Sequence, residues 1–210
     1  PEVGLGGDLF LRATLPRLQL EGSLFHNFIR NYIYHQPTGE IDPRFRRFPV
    51  FEARGEDARF VGMEGRVQWE AVRHVVLDGT ASLVHATRLE SDDPLPAIPP
   101  LNGGLRARYD MERFFVSLGW EGAAAQHRVP RAIPDPIGSG AAILPERPTA
   151  GYGLLNGGAG FRWGEGARFH TLTLSINNLT DAVWRDHLSR IKDVAPQPGR
   201  NVQLLYRVQF

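Results

Sequence analysis

The chain has 210 residues, and its 24 Lys and Arg against 23 Asp and Glu leave a formal net charge of +1 at neutral pH. This balance gives no electrostatic reason to expect nucleic-acid binding. The absence of cysteine excludes disulfides, thiol catalysis and thiolate metal sites within the chain. There is also no run of about eighteen apolar residues, so no transmembrane helix is predicted.

The first part of the chain predicts four strands in which apolar and polar residues alternate. They cover residues 3–13, a stretch that begins at Leu18, residues 59–71 and residues 75–89. A period of two gives a strand one apolar face and one polar face. Beyond Leu24 the faces mix, which predicts a bulge or a strand that rises above a membrane.

The same alternation predicts five more strands in the rest of the chain. They cover residues 101–109, a stretch from Phe114, residues 152–163, a stretch around 172–176 and the stretch 202–210. In a barrel, the polar residues of these strands would face the lumen: Glu64, Arg66, Gln68, Glu70, Arg106, Arg108, Glu121 and Arg162. In a soluble sandwich the same residues would face solvent, and the alternation alone does not separate these two cases.

Short and long connections alternate along the chain. The predicted short turns lie at residues 14–17, 72–74, 110–113 and 164–168. The predicted long loops lie at residues 36–54, 90–100, 129–150 and 183–200. This asymmetry is typical of outer-membrane barrels, which have short periplasmic turns and long extracellular loops. The sequence therefore predicts an all-β, antiparallel, up-and-down transmembrane barrel.

The predicted strand number, about nine, indicates a partial barrel. A complete single-chain bacterial barrel has an even number of strands. We therefore expect residues 1–210 to form the C-terminal part of a larger barrel, with earlier strands and a secretion signal missing. The isolated sheet would have two open edges, so we expect it to aggregate or to need detergent.

Two segments near the end of the chain carry a family resemblance. INNLTDAVWRDHLS at residues 176–189 and PQPGRNVQLLYRVQF at residues 196–210 resemble the C-terminal end of TonB-dependent outer-membrane receptors. LFHNFIRNYIY at residues 24–34 is also typical of these receptors. The segment HLSRIKDVAPQPGRN at residues 187–201 is most similar to the subgroup associated with zinc and other metal uptake.

The resemblance implies a barrel of 22 strands around an N-terminal plug in the outer membrane of a Gram-negative bacterium. It implies import of a metal ion or a metal chelate, zinc or siderophore-type, with energy supplied through TonB, and it implies neither enzymatic activity nor a resident cofactor. The implied partners are the TonB complex through the missing plug, membrane lipid and lipopolysaccharide. The barrel assembly machinery would recognise the last strand through Leu204, Tyr206, Val208 and Phe210.

Four residues are candidates for ligand binding, because the topology places them at or above the extracellular end: His35, His127, Asp186 and His187. Imidazole suits zinc and related metals, so His127 and His187 are the candidate metal ligands. The competing interpretation is surface histidines in solvated loops, because the four residues form no close-spaced motif. Arginines near Arg46 are likewise candidates for an anionic chelate or a lipopolysaccharide phosphate, against a solvated loop.

Two other classes of protein remain open at this point. One is another outer-membrane barrel, an adhesin or a barrel enzyme, which would need functional residues clustered on the loops. Asp186, His187 and Ser189 lie too close together in sequence to converge as a hydrolase triad. The other is a soluble antiparallel β-domain that binds carbohydrate or protein. Deleting Phe210 separates them, since only a membrane barrel should lose assembly efficiency.

Overall fold

The computed structural model describes residues 1–42, 44, 49–133 and 144–210. Over these residues the chain forms one antiparallel sheet of ten strands and no helix. Accordingly, the described part holds no helix of the length and apolar character needed to cross a membrane.

The strands pair in the order β1-β2-β3-β4-β6-β7-β8-β9-β10, while β5 pairs only with β4. Their bounds are β1 Val3–Leu15, β2 Leu18–Ile41, β3 Pro49–Val72, β4 Val75–Arg88, β5 Asp93–Pro94, β6 Asn102–Asp110, β7 Phe114–Ala123, β8 Tyr152–Glu165, β9 Arg168–Asn177 and β10 Asn201–Gln209. The nine longer strands confirm the predicted alternating segments. The two-residue β5 lies in a loop for which no strand was predicted.

The connections separate into two ends of the sheet. The turn end holds the short connections at residues 16–17, 73–74, 111–113 and 166–167. The loop end holds the long connections at residues 42–48, 89–101, 124–151 and 178–200. Gly166 has a φ of +61°, a backbone conformation that glycine adopts without strain, which suits a two-residue hairpin connection. The predicted alternation of short and long connections is confirmed.

The predicted loop at residues 36–54 is wrong in its bounds. β2 and β3 continue to pair well beyond the alternating segments, through Pro37 opposite Phe51 and Ile41 opposite Pro49. Hydrogen bonding of the backbone needs no alternation of side chains, so the ladder continues where the apolar face has ended. The connection between these strands is only residues 42–48.

The irregularity predicted after Leu24 is a β-bulge at Arg30 and Asn31. Ile29 pairs with Ala58 and Tyr32 pairs with Glu56, so two residues of β2 oppose one residue of β3. Asn31 has a φ of +56°, and its backbone N–H donates to Asp57 Oδ1 at 2.9 Å. The bulge thus satisfies the extra backbone donor locally and increases the twist of the strand pair.

The sheet has an outer face that is apolar and an inner face that is polar. On the outer face Trp69 pairs with Leu77, and Leu105 pairs with Trp120. Leu77 is half-buried and the other three side chains are exposed; Leu105 has 64% of its surface accessible. The only cluster of buried apolar residues in the described part lies at the loop end and consists of Tyr34, Ala58, Ala86, Leu95 and Ile98. The outer face of this chain is therefore not covered by its own core.

Candidate functional site

The polar side chains of the inner face line a groove of about 890 Å³. Its walls come from β3, β4, β6, β7, β8 and β9, and residues of the loops 124–151 and 178–200 close it at the loop end. Arg66 pairs with Thr80, and Asp78 pairs with Arg106, so these side chains share a face by register. The sequence correctly predicts that Arg66, Gln68, Arg106, Arg108 and Glu121 lie on one face.

The groove contains arginines that no carboxylate neutralises directly. Its acidic side chains are partly engaged, because Gln68 donates to Asp78 Oδ1 at 3.0 Å and Asn156 donates to Glu121 Oε1 at 2.8 Å. Arg66 and Arg106 are exposed and have no hydrogen-bond or ion-pair partner among the described residues. A guanidinium presents five donors in a planar fork that matches carboxylate and phosphate oxygens. The groove can therefore bind an anionic group.

A buried charge network fixes the loop 89–101 above the inner face. Arg88 Nη1 donates to the Tyr34 hydroxyl at 2.6 Å and lies 3.5 Å from Glu56 Oε2, while Arg88 Nη2 pairs with Asp93. Glu56 Oε1 accepts two further hydrogen bonds at 2.8 Å, from the backbone N–H and the hydroxyl of Ser91. These contacts hold the start of the loop, and Leu95, only 1% exposed, anchors its middle in the apolar cluster.

A second network, around Glu146, joins three loops. Glu146 Oε2 accepts from the backbone N–H of Ala97 at 2.9 Å, and Glu146 Oε1 accepts from Lys192 Nζ at 2.8 Å. These partners belong to the loops 89–101 and 178–200, whereas Glu146 lies in the loop 124–151. One carboxylate thus fixes the relative positions of the loops that cover the groove.

His187 lies inside this second network and is only 3% exposed. Its Nδ1 is 2.9 Å from Thr149 Oγ1 and 3.3 Å from Lys192 Nζ. Its Nε2 lies 3.2 Å from Glu146 Oε1 but outside hydrogen-bonding geometry. Burial lowers the pKa of the imidazole below its usual value, and Lys192 adds to this, although Glu146 opposes it. Burial therefore favours the neutral form of the ring.

The four predicted ligand residues do not converge. His35 and His127 are exposed, and neither lines the groove. Asp186 and His187 both lie at the groove edge, but Asp186 Oδ1 accepts from the backbone N–H of Leu188 at 3.0 Å. Within the described residues no three His, Cys, Asp or Glu side chains are grouped so as to hold a metal ion. Arg46 and its neighbour Arg47 lie outside the described residues.

The family-like segments in the β9–β10 connection have a structural explanation. The side chain of Asn178 donates to the carbonyl of Ala182 at 2.9 Å and accepts from the backbone N–H of Ala182 at 2.8 Å. Asp181 Oδ1 accepts from the backbone N–H of Arg200 at 2.7 Å. A Cβ atom on Gly199 would lie 2.7 Å from that same oxygen, which leaves no room for a side chain there. These contacts fix the conformation of the loop.

Aromatic rings form a row across the outer face near the turn end. Tyr109 and Phe114 lie 6.0 Å apart between ring centroids, and Trp163 stacks on His170 at 5.1 Å and on Tyr206 at 6.1 Å. The Tyr206 hydroxyl is 2.6 Å from His170 Nδ1. Leu204, Tyr206 and Val208 of β10 share this face by register. Such a row suits a boundary between hydrocarbon and water.

With this geometry established, comparison with known proteins identifies the class. Residues 1–179 match the family described as TonB dependent receptor-like, beta-barrel, and the chain belongs to this family. The described sheet is a part of such a barrel that is not closed, because β1 and β10 each pair with one neighbour. No curated protein sequence matches the chain.

Solved structures with the same fold come from several receptors. The copper transporter OprC superposes with a TM-score of 0.81 at 20% identity, over 99% of this chain and 31% of that one. The pyoverdine outer membrane receptor FpvA from Pseudomonas aeruginosa PAO1 gives 0.71 at 14% identity, over 100% and 30%. The FrpB iron transporter from Neisseria meningitidis gives 0.70 at 14% identity, over 99% and 31%. The chain thus spans less than a third of each of these proteins.

Proposed function

We propose that the receptor containing this chain imports a metal ion or a metal chelate across the outer membrane of a Gram-negative bacterium, with energy coupled through TonB. The observation that carries this proposal is the polar groove beneath a roof of loops, within a sheet whose outer face is apolar. Both features are those of a transport barrel. Family membership supports the same conclusion.

Among these cargoes the groove favours an anionic chelate over a bare cation. Arg66 and Arg106 point donors and positive charge into the groove, which attracts carboxylate, catecholate or phosphate oxygens. A bare divalent ion would meet repulsion from the same side chains. The similar structures include a copper transporter and a pyoverdine receptor, so the fold itself is compatible with both kinds of cargo.

The outer face supports a position in the bilayer. Large apolar side chains on it remain exposed, including Leu118 at 57% and Leu204 at 67%. In water such an apolar surface would promote association with other molecules, whereas in a bilayer lipid chains cover it. We propose that the turn end lies on the periplasmic side and the loop end on the extracellular side.

The proposed partners follow from this placement. The TonB complex would act through a plug domain, and the barrel assembly machinery would recognise β10 through Leu204, Tyr206, Val208 and Phe210. Arg168 lies over the Phe210 ring at 5.5 Å, so that ring already has one contact at the turn end. Deleting Phe210 from the full-length receptor should lower the amount of heat-modifiable, folded barrel in outer-membrane fractions. An unchanged yield would remove this partner from the proposal.

Uptake by cells tests the function directly. Strains with and without the full-length gene are compared for uptake of free zinc, iron chelates and cobalamin. We expect deletion to reduce uptake of one anionic iron chelate and to leave free zinc uptake unchanged. Loss of zinc uptake instead would favour the bare ion and would justify substitution of His127 and His187. Unchanged uptake of every metal-containing substrate would contradict the proposal.

A further inference from the structure

A small polar cavity of about 460 Å³ lies on the outer face of the sheet, at the loop end. Its lining includes Arg59, Val61, His85, Thr87 and Arg128. Arg59 pairs with Thr87, and Val61 pairs with His85, so all four share the face that carries Met63 and Trp69. This cavity is separate from the groove, which lies on the opposite face.

The cavity begins where the apolar stripe of the outer face ends. Along β3 the outward residues from Trp69 toward the loop end are Trp69, Val67, Gly65, Met63 and Val61, and the next is Arg59. At about 3.3 Å per residue, Trp69 to Val61 spans roughly 26 Å along the strand, or roughly 20 Å of depth for a strand tilted by about 40°. An apolar band in such barrels is about 25 Å tall. Arg59 therefore lies at the level of lipid headgroups.

The two arginines of the cavity differ in how they are held. Arg128 is half-buried, and its Nη1 donates to the carbonyl of Ala86 at 2.8 Å while its Nη2 donates to Thr87 Oγ1. This fixes one guanidinium against the sheet. Arg59 is exposed and has no hydrogen-bond or ion-pair partner within the described part of the chain. Its guanidinium group is therefore available to contact a ligand in the cavity.

The charges of the cavity favour a single anionic group. Arg59, Asp92 and Asp93 all act on the charge of Arg128, so the four groups are close together. Asp93 is already paired with Arg88 and does not line the cavity, so the charged groups of the lining are Arg59, Arg128 and Asp92. Two guanidinium groups and one carboxylate leave one net positive charge. Exposed His85 adds a nitrogen that can donate a hydrogen bond when it is suitably protonated.

We propose that this cavity binds the phosphate group of an anionic lipid of the outer leaflet, with Arg59 and Arg128 as its ligands. The choice of a lipid over a soluble anion rests on Val61 and Met63, which lie directly below the cavity on the outer face and would contact acyl chains. The orientation of the sheet in the membrane is taken from the proposed function.

Lipid binding by the full-length receptor tests the site. The receptor is purified in mild detergent, and native mass spectrometry measures its affinity for a bisphosphorylated glycolipid and for the same glycolipid without phosphates. Loss of one charge-assisted contact should weaken binding of the phosphorylated lipid about tenfold in Arg59→Gln. Arg59→Lys should retain part of the affinity. The matched control is Arg73→Gln, which removes an exposed arginine at the turn end.

Three outcomes would overturn the site. Equal affinities for wild type and Arg59→Gln would exclude Arg59 as a ligand, and an equal loss with the phosphate-free glycolipid would exclude phosphate recognition. Competition by millimolar inorganic phosphate with full displacement would show a soluble-anion site instead. None of these results alters the uptake phenotype of the gene deletion. The lipid site and the transport function are therefore tested independently of each other.

Discussion

The loop end and the turn end of this sheet are stabilised in different ways. At the loop end the chain buries its own apolar residues and charges, with Leu95 1% exposed and Arg88 9% exposed. Toward the turn end the outer face leaves Val72 at 58% and Tyr206 at 54% exposed. The loop end thus has a core of its own, whereas the turn end depends on backbone pairing and on whatever covers the outer face.

This difference matters for function because the two regions have different tasks. The loops must keep a defined shape above the groove, and the networks of Arg88 and Glu146 provide it. In the proposed membrane placement the outer face contacts fluid lipid, so it needs apolar surface rather than specific contacts. Substitutions at the loop end should therefore change the local stability of the loops. Substitutions on the outer face should instead change how well the sheet is accommodated by the membrane.

The largest expected effect is that of Arg88→Ala. It removes the cation that pairs with buried Glu56 and the nearer of the two arginines that pair with buried Asp93, which costs roughly 3–5 kcal/mol. Hydrogen exchange of residues 89–101 in the full-length receptor measures the loss as faster exchange. The control is Arg66→Ala, which removes an exposed, unpaired arginine of the same face and should stay within roughly 0.5 kcal/mol. Equal exchange in the two variants would contradict the role of the network.

The next largest effect is the difference in stability between alanine variants of two leucines, one buried and one exposed. Leu95→Ala leaves a cavity in the apolar cluster of the loop end and should cost about 2–5 kcal/mol. Leu105→Ala on the outer face should cost much less in detergent, because its side chain is already exposed. Protease sensitivity of the loop 89–101 and thermal unfolding in detergent measure both. If Leu105→Ala were the more destabilising variant, the outer face would have to pack against protein.

The smallest effect concerns pH. Burial lowers the pKa of His187, so the unfolded loop binds more protons than the folded loop once pH falls below the ordinary pKa of histidine. The stability that the neutral ring contributes is present above that pKa and is lost progressively as pH falls toward the lowered value. We expect exchange of residues 178–200 to accelerate on acidification from neutral pH to about pH 5, beyond the change in intrinsic rate.

His187→Gln is the control for this pH dependence. The variant keeps a polar side chain beside Thr149 and Lys192 but cannot titrate, so the additional acceleration should disappear. Persistence of the same pH dependence in His187→Gln would exclude His187 as its cause.

The sequence predicted the strands wherever side chains alternate, and it failed where alternation stops. Residues 59–71 show the pattern clearly because lipid and lumen require different faces. Residues 36–41 and 49–54 also belong to the ladder, with a register shift between Pro37 and Ile41, but their side chains do not alternate between apolar and polar, so no pattern marks them as strands. Bounds inferred from alternation therefore describe the apolar band and miss the extensions of β2 and β3.

The candidate site was predictable in part for the same reason. The alternation of side chains along β3 and β6 correctly placed Arg66 and Arg106 on the inner face. The network of Glu56, Arg88 and Asp93 was missed, because its members come from two strands and a loop and only the fold brings them together. His187 looked like a free loop histidine in sequence, yet contacts from Glu146 and Thr149, about forty residues away in sequence, bury it. Metal binding by His127 and His187 remains a prediction.

Cysteine labelling tests the central claim, that one face of the sheet contacts lipid and the other an aqueous groove. Residues 1–210 contain no cysteine, so single cysteines can be placed along β6, at Leu105, Arg106, Ala107 and Arg108, in a full-length receptor from which any other cysteines have been removed. In intact outer membranes a water-soluble maleimide should label positions 106 and 108, and a lipid-soluble spin label should report lipid contact at 105 and 107. Equal labelling of all four positions would contradict the account.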